Sequence, residues 1–178
     1  MAQVKPYELD SVLRSMCVLV DTREQKNKHI LRTFETRNVH YKSQKLNYGD
    51  YSCECTTADG EIVTLSQGVV IERKNSLDEL AGNITKGRER FAREFERAVT
   101  DGAKMYLMVE GGDWDDIVHH KYRSMMPPNA YMNTVFSWQQ KYNITVSFVS
   151  KAFAGDYIYG TLFMALKYYL LHGGGDEK

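Results

Sequence analysis

Two hydrophobic periods alternate along this chain. Residues 16–20 are a short apolar run that stops at Asp21, the pattern of a buried strand with polar chemistry at its C-terminal end. Residues 29–37 have a helical rhythm, with Ile30, Leu31 and Phe34 on one side. Residues 39–46 set Val39, Tyr41 and Ser43 against His40, Lys42 and Gln44, which predicts a half-exposed strand. Residues 51–56 and 61–65 flank Ala58-Asp59-Gly60 and read as a hairpin, followed by a strand at 69–74. Ser76-Leu77-Asp78-Glu79 has the form of a capping box, so a helix starts at Ser76, weakened by Gly82 and Gly87. A second helical piece, 88–100, carries Phe91, Phe95 and Ala98 at helical spacing, and Gly102 ends it. A buried strand at 105–109, a helical turn at 114–119 and a helix opened by Pro127-Pro128 follow. A strand at 144–149 and an aromatic-rich helix at 153–172 complete the series. Strands and helices alternate through the second half. The expected fold class is therefore α/β, three layers (α/β/α) around a mixed central sheet.

The length, 178 residues, fits a single domain over 1–172 with a loose tail at 173–178 and a loose start over 1–10. A hydrophobic share of 43% excludes a disordered or collagen-like chain. Lys+Arg and Asp+Glu both number 23, so a uniformly basic nucleic-acid coat is excluded as well. The charges are nevertheless segregated. Seven basic residues face two acids over 23–45, five face three over 86–97, and 101–116 is acidic. This is the footprint of a local polyanion-binding face, or of solvated helix faces bearing i±3 and i±4 pairs. Cys17, Cys53 and Cys55 are too few for a disulfide framework and lack the partners of a zinc site. The longest apolar stretch, 157–171, is broken by Lys167 and falls short of the ~20 residues of a membrane span. No secretory leader is visible, which implies an intracellular protein, cytoplasmic in a bacterial or phage-infected cell or nuclear in a eukaryote, with no membrane contact.

The chemistry gathers on three residues. Asp50 sits beside a glycine at the mouth of a strand. Glu72 and Lys74, two apart on the strand 69–74, point to one face, with Val69, Ile71 and Arg73 on the other. Carboxylates gathered at strand ends suit a hard cation such as Mg²⁺, and a lysine beside it can orient a water or stabilise phosphate charge. That is the logic of metal-assisted phosphodiester hydrolysis. A bare Glu-x-Lys is equally well a surface ion pair, so the wider pattern matters. Val20-Asp21-Thr22-Arg23-Glu24 closes the first strand, Gly49-Asp50 opens the hairpin, Glu72-Arg73-Lys74 is followed by three residues and Asp78, and Gly87-Arg88 comes next. His119-His120 are adjacent, and adjacent histidines rarely face the same way on a helix. Trp114, Trp138, Tyr157, Tyr159, Tyr168 and Tyr169 have the composition of a base-stacking set, or of core and interface.

This series resembles the nuclease domain of the XPF family of structure-specific endonucleases, within the PD-(D/E)XK, restriction-endonuclease-like superfamily. The family signature is Gly-Asp, a variable gap, Glu-Arg-Lys, three residues, Asp. The chain matches it at Gly49-Asp50 and from Glu72 to Asp78, with the upstream element at Val20–Glu24 and the downstream Gly-Arg at Gly87-Arg88. The resemblance implies that Asp50 and Glu72 are metal ligands, with the Arg73 carbonyl as a third, and that Lys74 is the catalytic lysine. It implies that Asp21 and Glu24 border the metal centre, Asp21 counting among both catalytic and metal-binding candidates. Arg23 meets a phosphate or pairs with an acid. Asp78 and Arg88 orient the site or contact DNA, although an acid at Asp78 also suits a helix N-terminus.

The function so implied is a Mg²⁺-dependent DNA endonuclease, with Mn²⁺ substituting, acting on branched or structured DNA in replication, recombination or repair. It further implies a homodimer through the nuclease domain, for which the last helix offers apolar residues on more than one face. The alternatives are a catalytically silent DNA-binding or scaffolding module, and a nuclease active only with a protein partner that supplies the DNA grip. Intact Asp50, Glu72 and Lys74 argue against the silent module.

Overall fold

The positions that alternate on the strand 69–74 are divided between two cores. In the computed structural model, which describes residues 8–173, Val70 packs into one apolar cluster and Ile71 into the other. Met108 and the pair Leu107 and Val109 divide the same way on the neighbouring strand. A strand apolar on both sides needs helices on both sides, and the chain supplies them.

In chain order the elements are α1 (Leu9–Arg14), β1 (Cys17–Val20), α2 (Lys28–Thr36), β2 (His40–Ser43), β3 (Tyr51–Thr56), β4 (Ile62–Thr64), β5 (Val69–Lys74), α3 (Leu77–Thr85), α4 (Arg88–Thr100), β6 (Lys104–Glu110), α5 (Trp114–Val118), α6 (Pro128–Tyr142), β7 (Thr145–Val149) and α7 (Ala154–His172). The sheet has seven strands in the order β2-β1-β3-β5-β6-β7, with β4 paired to β3 alone. β1 runs parallel to β2 and antiparallel to β3, β3 is antiparallel to β5, and β5, β6 and β7 are mutually parallel. The sheet is thus mixed. Helices α1, α2 and α7 cover one face, through Val12, Phe34, Ile158, Leu162 and Leu166. Helices α3 to α6 cover the other, through Leu80, Phe91, Phe95, Val135 and Trp138. The α/β/α expectation holds, and Trp138 is core, packed edge-on against Phe91 and Phe95.

Local differences have local causes. The strand expected over 39–46 ends at Ser43, because Gln44 N–H still bonds Val20 O but Leu46 N–H turns to the Asp21 carboxylate at 2.6 Å. The loose start expected over 1–10 runs into α1 at Leu9. This six-residue helix has no side-chain cap, and so no start signal in the sequence. Residues 1–7 and 174–178, including most of the expected tail, lie outside the described residues, while Gly173 caps α7 at φ 72°. The capping box forms: Ser76 accepts from Glu79 N–H, and Glu79 returns to Asn75 N–H. The helix it starts stops at Thr85, and Gly87 caps the next one. Among the described residues no helix is long and apolar enough to cross a membrane.

Candidate active site

The site lies where β1 and β5 end and antiparallel β3 begins. Asp50, just before β3, bridges them through its backbone: Asp21 N–H donates to Asp50 O, and Asp50 N–H donates to Ile71 O, each at 2.8 Å. Gly49 makes this turn possible. It sits at φ +70°, and a Cβ there would come within 2.9 Å of the Val70 Cβ. The Arg73 N–H then donates to Asp50 Oδ2 at 2.8 Å, fixing the carboxylate beside β5.

Glu72 and Lys74 share one face of β5, as their spacing predicts. Lys74 Nζ donates to Glu72 Oε1 at 2.5 Å and lies 4.5 Å from the centre of the Phe91 ring. Both side chains are buried. Burial, and then the neighbouring Glu72, push the Asp50 carboxyl well above its usual range. Burial also pushes Glu72 up to about 7, with Lys74 opposing the rise. Burial alone would lower the Lys74 pKa, but Glu72 and then Asp50 hold it above its ordinary value. Two carboxyls that resist ionisation side by side form a site in need of positive charge.

Arg73 points to the other face, into a buried ion network. Its Nε and Nη2 donate to the two oxygens of Glu110 at 2.7 and 3.0 Å, its Nη1 reaches Glu24 at 3.3 Å, and His29 Nε2 meets Glu110 Oε1 at 3.0 Å. Burial would raise the Glu110 pKa, but hydrogen bonds from Arg73 and His29 hold it below its ordinary value. Glu110 ends β6 with no exposed surface. In the sequence it is one acid of the acidic stretch 101–116. The available signal was its place at the end of a buried strand.

A cleft of about 260 Å³ opens over these groups, lined by Arg23, Glu24, Asp50, Glu72, Lys74 and Glu79 among others. The sequence pattern marks Glu79 only as a capping residue. Asp21, expected at the metal, does not line the cleft. Its Oδ1 accepts Arg23 N–H and Nε at 2.8 and 2.6 Å, and its Oδ2 accepts Arg23 Nη2 and Leu46 N–H at 3.2 and 2.6 Å. Burial would raise its pKa, but these bonds bring it below the usual range. Arg23 pairs with Asp21, one of the two roles expected for it, and also lines the cleft. Asp78 accepts Arg123 N–H and Nε at 2.6 and 2.9 Å, tying α3 to the loop before α6. Arg88 is exposed at the start of α4 and lines no part of the cleft. A larger cavity, about 570 Å³, lies across the sheet between α1, α2 and α7, and holds none of these residues.

The oxygens that the family resemblance would assign to a metal are the Asp50 and Glu72 carboxylates, which line the cleft, and the Arg73 carbonyl. Among the described residues no three or more His, Cys, Asp or Glu converge as a cage. Such a sparse acidic set fits Mg²⁺, which keeps several waters and binds through one or two carboxylates, and does not fit zinc.

The ERCC4 domain family model matches residues 20–160 of this chain. The fold is similar to that of XPF from Aeropyrum pernix, with a TM-score of 0.63 and 19% identity over 86% of this chain and 66% of that one. A structure described as XPF from Aeropyrum pernix, complex with DNA, gives 0.63 and 20% over 85% and 65%. The chain spans just under two thirds of the length of these structures. No curated protein sequence matches it.

Proposed function

The chain belongs to the ERCC4-domain family, an XPF-type nuclease domain, and from that premise we propose that it is a metal-dependent DNA endonuclease acting on branched or structured DNA. One observation carries the proposal. Asp50, Glu72 and Lys74, separated by up to 24 positions in the chain, converge on one cleft with carboxyl pKa values raised by burial and by neighbouring acids.

When bound by Asp50, Glu72 and the Arg73 carbonyl, a divalent ion would neutralise the carboxylates, polarise the phosphoryl oxygen and lower the pKa of a bound water. The remaining work falls to the chain itself. Lys74 remains protonated against Glu72 and offers its charge to the phosphate or its hydrogen bonds to the attacking water. Arg23 faces the cleft as a second cation for a phosphate oxygen. Arg73 and Glu110 hold Asp50 in place from behind the sheet, and Asp21 holds Arg23 and the segment at Leu46. In this assignment Asp21 is a positioning residue. The exposed side of α7, where Met164, Tyr168 and Leu171 follow one another at helical spacing, is the surface for a homodimer.

The test is cleavage of branched, single-stranded and plain duplex DNA by purified protein with Mg²⁺, Mn²⁺ or EDTA, beside Lys74→Ala. Metal-dependent cutting that disappears in the variant is the expected result. Retained binding with no cutting on any substrate would leave the silent binding module, or a nuclease that needs a protein partner.

A further inference from the structure

A second cleft, of about 270 Å³, adjoins the first, shares Arg23, Asp50, Glu72 and Lys74 with it, and has α4 as its wall. Three arginines of that wall, Arg90, Arg93 and Arg97, stand at i, i+3 and i+7 and so form one stripe along the helix. All three are exposed. Among the described residues Arg93 pairs only with Glu89, at 3.9 Å and in open solvent, a pair worth little. Among the described residues Arg90 and Arg97 make no ion pair. Three exposed cations along one line, two of them unpaired among the described residues and the third in one long solvent-exposed pair, are a charge arrangement that folding alone does not require.

The acid within the stripe is used differently. Glu94 is half-buried, and its Oε1 accepts Gly49 N–H at 3.1 Å. It therefore ties α4 to the turn that presents Asp50, and the arginines are positioned relative to the carboxylates by a direct bond. Arg93 and Arg97 also line a cavity of about 510 Å³ together with Asn47, Glu96, Thr100 and Asp101.

We propose that Arg90, Arg93 and Arg97, with Arg23 at the inner end, are a phosphate track that leads the backbone of one DNA strand into the Asp50–Glu72–Lys74 cleft. The proposal rests on the nuclease reading for its polyanion. The stripe spans seven residue steps of helix, a rise of about 10 Å, or about three nucleotide steps of a duplex strand. The aromatic rings of this wall, Phe91 and Tyr48, are buried, so no ring is presented for base stacking. The track grips backbone, and its contribution is blind to sequence. Arg88, the arginine singled out by the family motif, does not line this cleft either.

The experiment measures binding of fluorescein-labelled duplex and single-stranded DNA to full-length Lys74→Ala protein across a salt series, alone and combined with Arg90→Gln, Arg93→Gln or Arg97→Gln. Arg32→Gln, on the far face of the sheet, is the charge-matched control. Each track variant is expected to weaken duplex binding about threefold or more, equally on unrelated sequences, and to flatten the slope of log affinity against log salt by about 1. The control is expected to leave both unchanged. Slopes that match the parent overturn the track even if the wild type cuts DNA. Flattened slopes in a protein whose wild type never cuts DNA keep the track and remove the nuclease. An absence of any DNA binding overturns both.

Discussion

Arg73 serves Asp50 with its backbone and Glu110 with its side chain. Its N–H donates to Asp50 Oδ2 at 2.8 Å on the cleft side, while its guanidinium makes a two-pronged pair with Glu110 behind the sheet. The end of β5 is therefore clamped from both sides, beside the cleft acids Asp50 and Glu72.

Removing Glu110 strands the Arg73 charge in a dry environment, with only Glu24 left near it at 3.3 Å. Glu110→Ala is expected to cost about 3–5 kcal/mol in denaturant unfolding, the range for breaking a buried pair from one side. Glu110→Gln keeps the shape and some hydrogen bonds and should lose less. If cleavage depends on Asp50 placement, kcat falls in both variants more than DNA affinity does. An unfolding midpoint equal to wild type in Glu110→Ala would contradict the clamp.

Gly49 fixes the same acid from the chain side. Ala at φ +70° is strained, and its Cβ would meet Val70, a fully buried residue of β5, at 2.9 Å. Gly49→Ala should destabilise by about 2 kcal/mol or more, adding the left-handed penalty to a core clash. Gly60→Ala, at φ +86° but with nothing within 4 Å of its Cβ, should carry the strain alone and so cost less. Equal losses at the two glycines would show that Val70 gives way freely.

Much of this site was legible in the sequence because its determinants are local. Period-two spacing placed Glu72 and Lys74 on one face of β5 and Arg73 on the other, and the structure places them so. Ser76 and Glu79 announced α3 by side chain-to-backbone bonds within four residues. What could not be read was non-local. The Arg73–Glu110 pair joins residues 37 apart, and Asp78–Arg123 joins residues 45 apart. Asp21 was legible as an acid at a strand end. Its four hydrogen bonds depend on where Leu46 returns, and no periodicity encodes that. The family motif located Asp50, Glu72 and Lys74, whereas the arginine stripe appears only once α4 is seen packed beside them.

The last helix carries two stripes. Ile158, Leu162, Leu166 and Leu170 face the core, and Met164, Tyr168 and Leu171 remain 59%, 56% and 40% exposed. If the second stripe is the dimer seam, Met164→Asp combined with Tyr168→Asp should convert a dimer to a monomer in light scattering, with the unfolding midpoint of the monomer little changed. Wild-type protein that is monomeric at every concentration tested would remove α7 as a seam.

Asp50 and Glu72 also set a pH dependence whose sign is unusual for carboxylates. Their pKa values are raised in the folded protein, Glu72 to about 7, so the folded state binds more protons than the unfolded chain from about pH 4 upward. Stability in EDTA should therefore fall as pH rises through about 7, the stabilising protons being lost in that window. Asp21 acts oppositely. Its pKa is lowered, so its contribution is present at neutral pH and disappears below about pH 4. The metal-free protein should be most stable on the acid side of neutrality, between these limbs. Mg²⁺ competes for the same carboxyls as the proton, so its stabilising effect should grow as pH rises from about 5 to about 8. Thermal unfolding with Mg²⁺ or EDTA across that range checks both signs at once. A Mg²⁺ effect that is flat with pH, or that survives Asp50→Asn, would place the ion somewhere other than Asp50 and Glu72.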